Sequence, residues 1–484
     1  MFSSFAPLSC AQPKRVREPV VAGSFYPAQP KELAAMVDGF LAKAQSTAPG
    51  EVVALAAPHA GYVYSGAVAA HGYALVRGKK YDRVVVISPS HVDAFRFGAV
   101  FDGAAYATPL GQVEVDSEFA GRLAAAGSQL KLSSRGHVVS GRGEHALEVQ
   151  LPFLQRAVGQ FKLVPVVMGG QDYDLCRDLG VALAKTAAGS ATLIVASSDL
   201  SHFHPYEEAR KMDLRTLKAM EDFDYFCLSH NLERRIWEAC GGGPVIAAMM
   251  AAERLGANQA RLLKYANSGD TAGDRWSVVG YGAVAFVRTG KEAEAETFSL
   301  SEADQGTLLD LARKSVESAV RDRKRYHAPQ AASEALNVPR AVFVTIKKQG
   351  GLRGCIGSYA PVEPLAEAVC QSAVSAALRD SRFAPVTVKE LAELEYEISV
   401  LSPLRRVLDP ETIRIGRDGL LIKRGRSEGL LLPQVPVEQK WDRETFLSYA
   451  CLKAGLDKAA WKDERTDLFR FSALVIHERR GAAP

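Results

Sequence analysis

The chain has 484 residues, 47% of them apolar and 24% charged, with a net charge of +4. That length exceeds one ordinary core and predicts two or three domains of globular composition. From Ser301 onward there are 29 Lys and Arg against 25 Asp and Glu, and the first 300 residues hold 30 of each, which excludes the strong basic face of a nucleic-acid binder. No apolar run approaches the roughly 18 to 20 residues that span a bilayer, so no membrane partner is expected.

Met1–Pro13 lacks a basic start followed by an apolar core, so residues 1–15 read as a poorly ordered leader rather than a signal peptide. The seven cysteines form no Cys-x-x-Cys pair, which argues against a disulfide framework and for a reducing, cytoplasmic setting. In chain order, the runs Val52–Ala57, Arg83–Ser88, Leu163–Met168 and Thr192–Ser197 predict short strands. They are continuously apolar or small, as in a sheet buried on both faces. Helical patterns lie between them at Ser65–Val76 and His145–Val158, and Val278–Val287 reads as a closing strand. The fold class expected for residues 16–290 is therefore α/β with a mostly parallel or mixed sheet.

The segment Arg288–Ser301 is small, charged and poor in large apolar residues, and a linker is placed at residues 291–300. A Ser-x-x-Asp start at Ser301 opens a helix predicted to run to Arg323. Further helices are expected at Pro364–Arg379 and Arg443–Ala454, with strands at Ala341–Lys347, Tyr396–Leu401, Leu420–Lys423 and Leu468–His477. Residues 301–484 thus read as an α+β domain. A linker of about a dozen flexible residues spans near 20 Å, so the two halves are expected to fold independently.

The chemistry gathers behind the strands of the first half. One is followed by Pro58-His59-Ala-Gly-Tyr62, a second by Ser90-His91, and a third by Ser198-Asp199-Leu-Ser-His202. In open α/β sheets ligands bind beyond the carboxyl ends of strands, where such loops converge. Cys240 precedes three glycines and an apolar helix, and the positive end of a helix dipole favours a thiolate. A thiolate beside imidazoles suits iron, copper or zinc. His145 and Glu148 are three apart at another helix start, a spacing that suits a proton relay or a pair that orients a metal ligand.

Together with Val21-Ala-Gly-Ser-Phe-Tyr-Pro27, Glu144-His145 and Asn267-Ser-Gly-Asp-Thr271, these motifs resemble the Memo family over about residues 16 to 290. That family is similar to the LigB-type extradiol dioxygenases, whose non-haem iron is held by two histidines and a carboxylate. The resemblance implies His59, His91 and Cys240 as metal ligands, with Asp199, His202 and His145 as catalytic residues around them and Tyr62 on the substrate. Cysteine in the carboxylate's place means that ring-cleaving activity does not carry over with the fold.

The second half resembles the AMMECR family over about residues 302 to 480, on Leu352-Arg353-Gly354-Cys355-Ile356-Gly357 and Asp380-Ser-Arg-Phe-Ala-Pro385. Gly354 and Gly357 are expected to bracket a reactive Cys355 in a loop, with Arg353 lowering its pKa or binding an anion. The pairing of families implies the AmmeMemoRadiSam association, with a radical-SAM protein as partner. The leading expectation is a metal-dependent oxidoreductase, dioxygenase-like in fold, acting on a small organic substrate with non-haem iron, or with copper or zinc. Its rivals are a non-catalytic protein that holds a peptide or partner in the old cleft, and a zinc-dependent hydrolase.

Overall fold

Valine, isoleucine and leucine runs crowd χ1 in a helix and pack well on a pleated surface, and in the first half they form strands sealed on both faces. The computed structural model describes residues 15–138, 143–271, 273–290, 299–329, 333–359 and 361–478. The chain divides into two compact units, Met1–Ala293 and Glu294–Pro484. The expected leader (apart from residue 15) and the expected linker (apart from residues 299 and 300) lie outside the described residues. Among the described residues no helix is long and apolar enough to cross a membrane.

The first unit is built on a nine-stranded mixed sheet. Its strands are β1 (Glu51–Ala57), β2 (Arg83–Pro89), β3 (Gly98–Val100), β4 (Leu130–Leu132), β5 (Lys162–Met168), β6 (Thr192–Ser197), β7 (His202–His204), β8 (Gln259–Asn267) and β9 (Val278–Arg288). Their order is β7-β9-β1-β6-β2-β5-β3-β4, with β8 paired to β9. The four central strands β1, β6, β2 and β5 are parallel neighbours, so their carboxyl ends share one edge. Val84, Val85, Val86 and Ile87 of β2 are all fully buried. Helix Gly242–Arg254 is buried along Gly242–Ala252, the signature of a helix apolar all round and enclosed by its neighbours.

One helix was expected over His145–Val158, and two short ones are found, His145–Glu148 and Leu151–Ala157. Pro152 has no N–H to offer the carbonyl one turn back, so the helix breaks before it. The break leaves Gln150 between the two helices, where its side chain serves the site described below.

The second unit contains β10 (Val342–Lys348), β11 (Gly351–Ser358), β12 (Leu394–Leu401), β13 (Arg405–Arg406), β14 (Gly419–Arg424), β15 (Ser427–Leu431), β16 (Asp467–Phe471) and β17 (Ala473–His477). They form two four-stranded sheets, β11-β10-β12-β17 and β13-β16-β14-β15. Val342, Val344 and Ile346 alternate onto a core shared with Val369, Cys370 and Ala373 of helix Leu365–Leu378. Two expectations are corrected here. The run Leu468–His477 is two strands in different sheets, because Ser472 turns the chain and exchanges hydrogen bonds with Ser402. The Arg353–Gly357 motif is a strand and not a loop. Gln349 and Gly350 both have positive φ, 51° and 80°, and make the two-residue hairpin turn that pairs β10 with β11.

Candidate metal centre

The parallel core delivers three loops to one edge. β1 ends at Ala57 and hands on to His59, β2 ends at Pro89 and hands on to His91, and β6 ends at Ser197 and hands on to Asp199. Cys240 is added from the start of helix Gly242–Arg254. Its loop presses on the β6 exit so closely that a Cβ on Gly241 would lie 2.0 Å from the Ser197 carbonyl oxygen. The structure thereby brings together His59, His91 and Cys240, each offering a ligand atom within 4.8 Å of the others. His91, Glu144 and His145 form a second such group. The His59, His91 and His145 rings lie 4.9–5.6 Å apart, centroid to centroid.

Hydrogen bonds fix which imidazole nitrogen is bare. Ser197 Oγ donates its one proton to the Ala146 carbonyl at 2.6 Å and accepts from the Gln150 amide at 2.8 Å. A hydroxyl has one proton to give, so the 2.9 Å contact from His59 Nδ1 must be a donation by the imidazole. His59 Nε2 is left as a lone pair, 3.1 Å from Cys240 Sγ. Gln150 is held in turn by the buried Tyr73 hydroxyl, 2.6 Å from its Oε1. His91 Nδ1 lies 3.0 Å from Glu144 Oε1, so it too turns Nε2 away from its partner. His145 Nδ1 is 3.3 Å from the same carboxylate. A carboxylate or hydroxyl behind each imidazole is the arrangement that orients histidine ligands and raises their basicity.

The donor set passes a simple test of fit. The bare His59 Nε2 lies 3.1 Å from Cys240 Sγ. Two bare imidazole nitrogens and a soft sulfur suit iron, copper or zinc and not magnesium or calcium.

The electrostatics follow from enclosure. Burial pushes the His59 pKa well down, and neighbouring His145 and His91 push the same way. His145 is lowered, first by burial. Burial would raise Glu144, but its hydrogen bonds and charge interaction with His91 win and hold it at about 2. The same carboxylate raises His91 against the burial that would lower it. Asp199 is raised by burial, against the backbone N–H of His59. Cys240 corrects an expectation. Burial and the charge of Asp199 push its thiol well above the ordinary value, overriding the helix terminus, so its proton is released only to a partner that replaces it.

Family models match both halves of the chain. The family model described as Memo-like protein matches residues 17–285, which is more than half of the chain. This chain belongs to the Memo family. A second family model, AMMECR1, matches residues 309–476, so the chain joins a Memo half to an AMMECR1 half. A MEMO1 family protein of Methanopyrus kandleri is 38% identical over 288 residues, covering 56% of this chain and 99% of that protein. One from Aeropyrum pernix is 39% identical over 284 residues, with the same shares. Among solved structures, an uncharacterized protein of Pyrococcus horikoshii is 39% identical, covering 37% of this chain and 93% of that one, with a TM-score of 0.36.

The remaining expected residues of the Memo half fall around the cluster in different ways. Asp199 accepts from the backbone N–H of His59 at 2.7 Å and of Ala60 at 3.3 Å, and its own N–H points to Cys240 Sγ at 3.3 Å. His202 lines a cavity beside Cys240. Its Nδ1 lies 2.9 Å from the Leu200 carbonyl, which can only accept, so Nε2 is again the bare nitrogen. Tyr62 is a correction. It is buried, donates its hydroxyl to the Val149 carbonyl at 2.6 Å and packs on Tyr26 and Phe153, so it is core and not a substrate contact. The pairing of His145 with Glu148 is also corrected. Glu148 is fully buried among Arg17, the Tyr26 hydroxyl and the backbone N–H groups of Val20 and Val21, and the carboxylate against His145 belongs to Glu144.

In the AMMECR1 half, Cys355 Sγ accepts from the Thr345 hydroxyl at 3.2 Å, and its backbone N–H donates to Asp380 at 2.8 Å. Arg353 grips Glu390 through two nitrogens, at 3.0 and 3.3 Å. Arg353 thus spends Nε and Nη2 on Glu390, while its buried Nη1 has no hydrogen-bond partner among the described residues. Sequence reasoning missed Ser197 and Gln150, which are ordinary strand-end and helix residues in the sequence. Glu144 carried a readable signal, an acidic N-cap directly before a histidine.

Proposed function

We propose that the Memo half is a metal-dependent enzyme, an oxidoreductase in class, acting on a small organic molecule. The observation that carries this reading is the convergence of His59, His91 and Cys240 with both imidazoles presenting Nε2 and each Nδ1 tied to a fixed acceptor. Iron is the metal proposed, with copper or zinc as alternatives, and it would supply Lewis acidity and, if iron or copper, a redox centre.

The protein's own groups do the remaining work in this reading. Glu144 and Ser197 hold the imidazoles in one tautomer, and Asp199 fixes the His59 backbone. His202, which lines the cavity and keeps Nε2 bare, takes a proton from the substrate and becomes an imidazolium held by the Leu200 carbonyl. Cys355 is proposed as the reactive centre of the AMMECR1 half, and a radical-SAM protein as the partner of the fused chain.

Activity should follow the metal. Protein stripped with a chelator and reloaded with iron, copper or zinc separately, then assayed for oxygen uptake against a panel of small hydroxylated compounds, is expected to respond to a redox metal. Turnover with zinc alone would support the hydrolase, and a metal-free protein that still captures a peptide would support the binding module.

A further inference from the structure

The groups behind His59 are sealed from solvent. His59 is 2% exposed and Gln150 1%, and Tyr73, Ala146 and Ser197 are not exposed at all. Bulk water cannot satisfy a donor there, so each N–H and O–H must end on an acceptor of the protein. The order in which they do so starts at the helix break before Pro152. In an unbroken helix the Ala146 carbonyl would accept the Gln150 N–H. That N–H turns to the Leu147 carbonyl at 3.2 Å instead, and the Ala146 carbonyl takes the Ser197 hydroxyl at 2.6 Å.

The break also turns the Gln150 side chain inward, and its amide fits in one orientation. A carbonyl can only accept, so the amide atom 3.0 Å from the Pro58 carbonyl is the nitrogen. The amide oxygen then receives the Tyr73 hydroxyl at 2.6 Å. One amide proton is spent on Pro58, and the other reaches Ser197 Oγ at 2.8 Å. Ser197 Oγ has one proton and two lone pairs. Ala146 uses the proton and Gln150 one lone pair, which leaves one lone pair for His59 Nδ1 at 2.9 Å.

We propose that Gln150 is a positioning residue for the metal centre. By filling the second lone pair of Ser197 it keeps the hydroxyl turned to Ala146, holds neutral His59 as the Nδ1–H tautomer and presents Nε2 before a metal arrives. Without that amide the Ser197 hydroxyl is free to turn and donate to Nδ1, which moves the imidazole proton to the nitrogen that faces the metal. Tyr73 is the outer anchor, since it holds the amide oxygen. The proposal rests on the metal-enzyme reading for the claim that Nε2 serves a metal, and not for the claim that Gln150 sets the tautomer. His91 gives the internal control, because Glu144 and not Gln150 stands behind its Nδ1.

The test uses the full chain grown on 15N-labelled histidine, stripped with a chelator and held at alkaline pH, where the imidazoles are neutral. The two nitrogens of a neutral imidazole differ in NMR shift according to which one carries the proton, and His59→Gln and His91→Gln assign the signals. Wild-type His59 is expected to be protonated on Nδ1. Gln150→Met fills the space without an amide. It should mix the two His59 tautomers, leave the His91 signals unchanged and weaken zinc, measured by chelator competition, about 10–100-fold. Tyr73→Phe removes only the outer anchor, should move the same signals by less, and serves if the methionine variant fails to fold. Wild-type protein with the proton on Nε2, or folded variants with an unchanged His59 tautomer or wild-type zinc affinity, would overturn the proposal. Equal changes at His91 would also overturn it, because Gln150 would then be acting on the core at large. A His59 tautomer that follows Gln150 in a protein that binds neither zinc nor iron would sink the metal reading and leave the role of Gln150 standing. Metal-binding protein whose tautomer ignores Gln150 would do the reverse.

Discussion

Cys240 and Cys355 both stand among glycines, and the glycines do different things around them. Gly241 lets the Cys240 loop lie against the β6 exit, where an added Cβ would sit 2.0 Å from the Ser197 carbonyl, and this closeness delivers the sulfur to His59. Gly354 lets β11 lie on helix Leu365–Leu378, where an added Cβ would sit 2.1 Å from the Ala376 carbonyl, and this closeness packs a strand on a helix. Gly357 acts similarly against Val342 and Phe343 of β10. A glycine beside a cysteine therefore reports that something approaches the backbone. In the first unit that neighbour is the exit of β6, beside a histidine cluster, and in the second it is a helix.

The largest expected effect breaks the first site from a distance. Arg17 is buried and ion-paired to Glu148, and it also donates to the backbone of Glu144 and His137, which holds the segment bearing Glu144. Arg17→Met leaves Glu148 buried without its cation and is expected to cost about 3–5 kcal/mol, read as a lower urea midpoint. Next come the two glycines, each expected to lose about 1–3 kcal/mol as alanine from forced overpacking. The comparison predicts that Gly241→Ala also loses metal and that Gly354→Ala leaves the metal content untouched. Equal metal loss in both variants would break the comparison. Glu144→Gln keeps the shape but weakens the acceptor behind His91 and His145, and a fall in metal affinity of about 10–100-fold is expected, measured by competition with a chelator.

The fold was legible because its strands are continuous apolar runs and because three of them end in Pro or Ser followed by His or Asp. That pattern needs only the rule that parallel strands share an edge. What stayed hidden was the fixing of the tautomers, since Ser197, Gln150 and Tyr73 look like ordinary core-adjacent residues until the tertiary structure stacks them. Tyr62 was misplaced because a tyrosine next to a site motif reads alike whether its ring points to the cleft or the core. The Arg353–Gly357 segment was misread because its glycines suggested a loop, whereas Gln349-Gly350 was the actual turn signal.

The smallest expected effect concerns the Arg353–Glu390 pair. The Arg353 hydrogen bond is the largest influence on Glu390 and, with Thr387, holds its carboxyl at about 2. A depressed acid stabilises above its unfolded pKa, near 4.5, and loses that contribution as pH falls toward 2. Wild-type protein should therefore exceed Glu390→Gln in thermal stability by a modest margin at pH 7, and the gap should close between about pH 4.5 and 2. A gap that widens on acidification would mean the pair is not what it looks like.

Elemental analysis of the untagged full chain, purified without added metal, tests the central claim most directly. The account predicts about one transition-metal ion per chain, iron foremost, retained in Cys355→Ser and lost in His91→Ala and Cys240→Ala variants that still melt cooperatively. A folded chain with no bound metal, even after incubation with ferrous iron, copper or zinc, or one whose metal survives both substitutions, would contradict it.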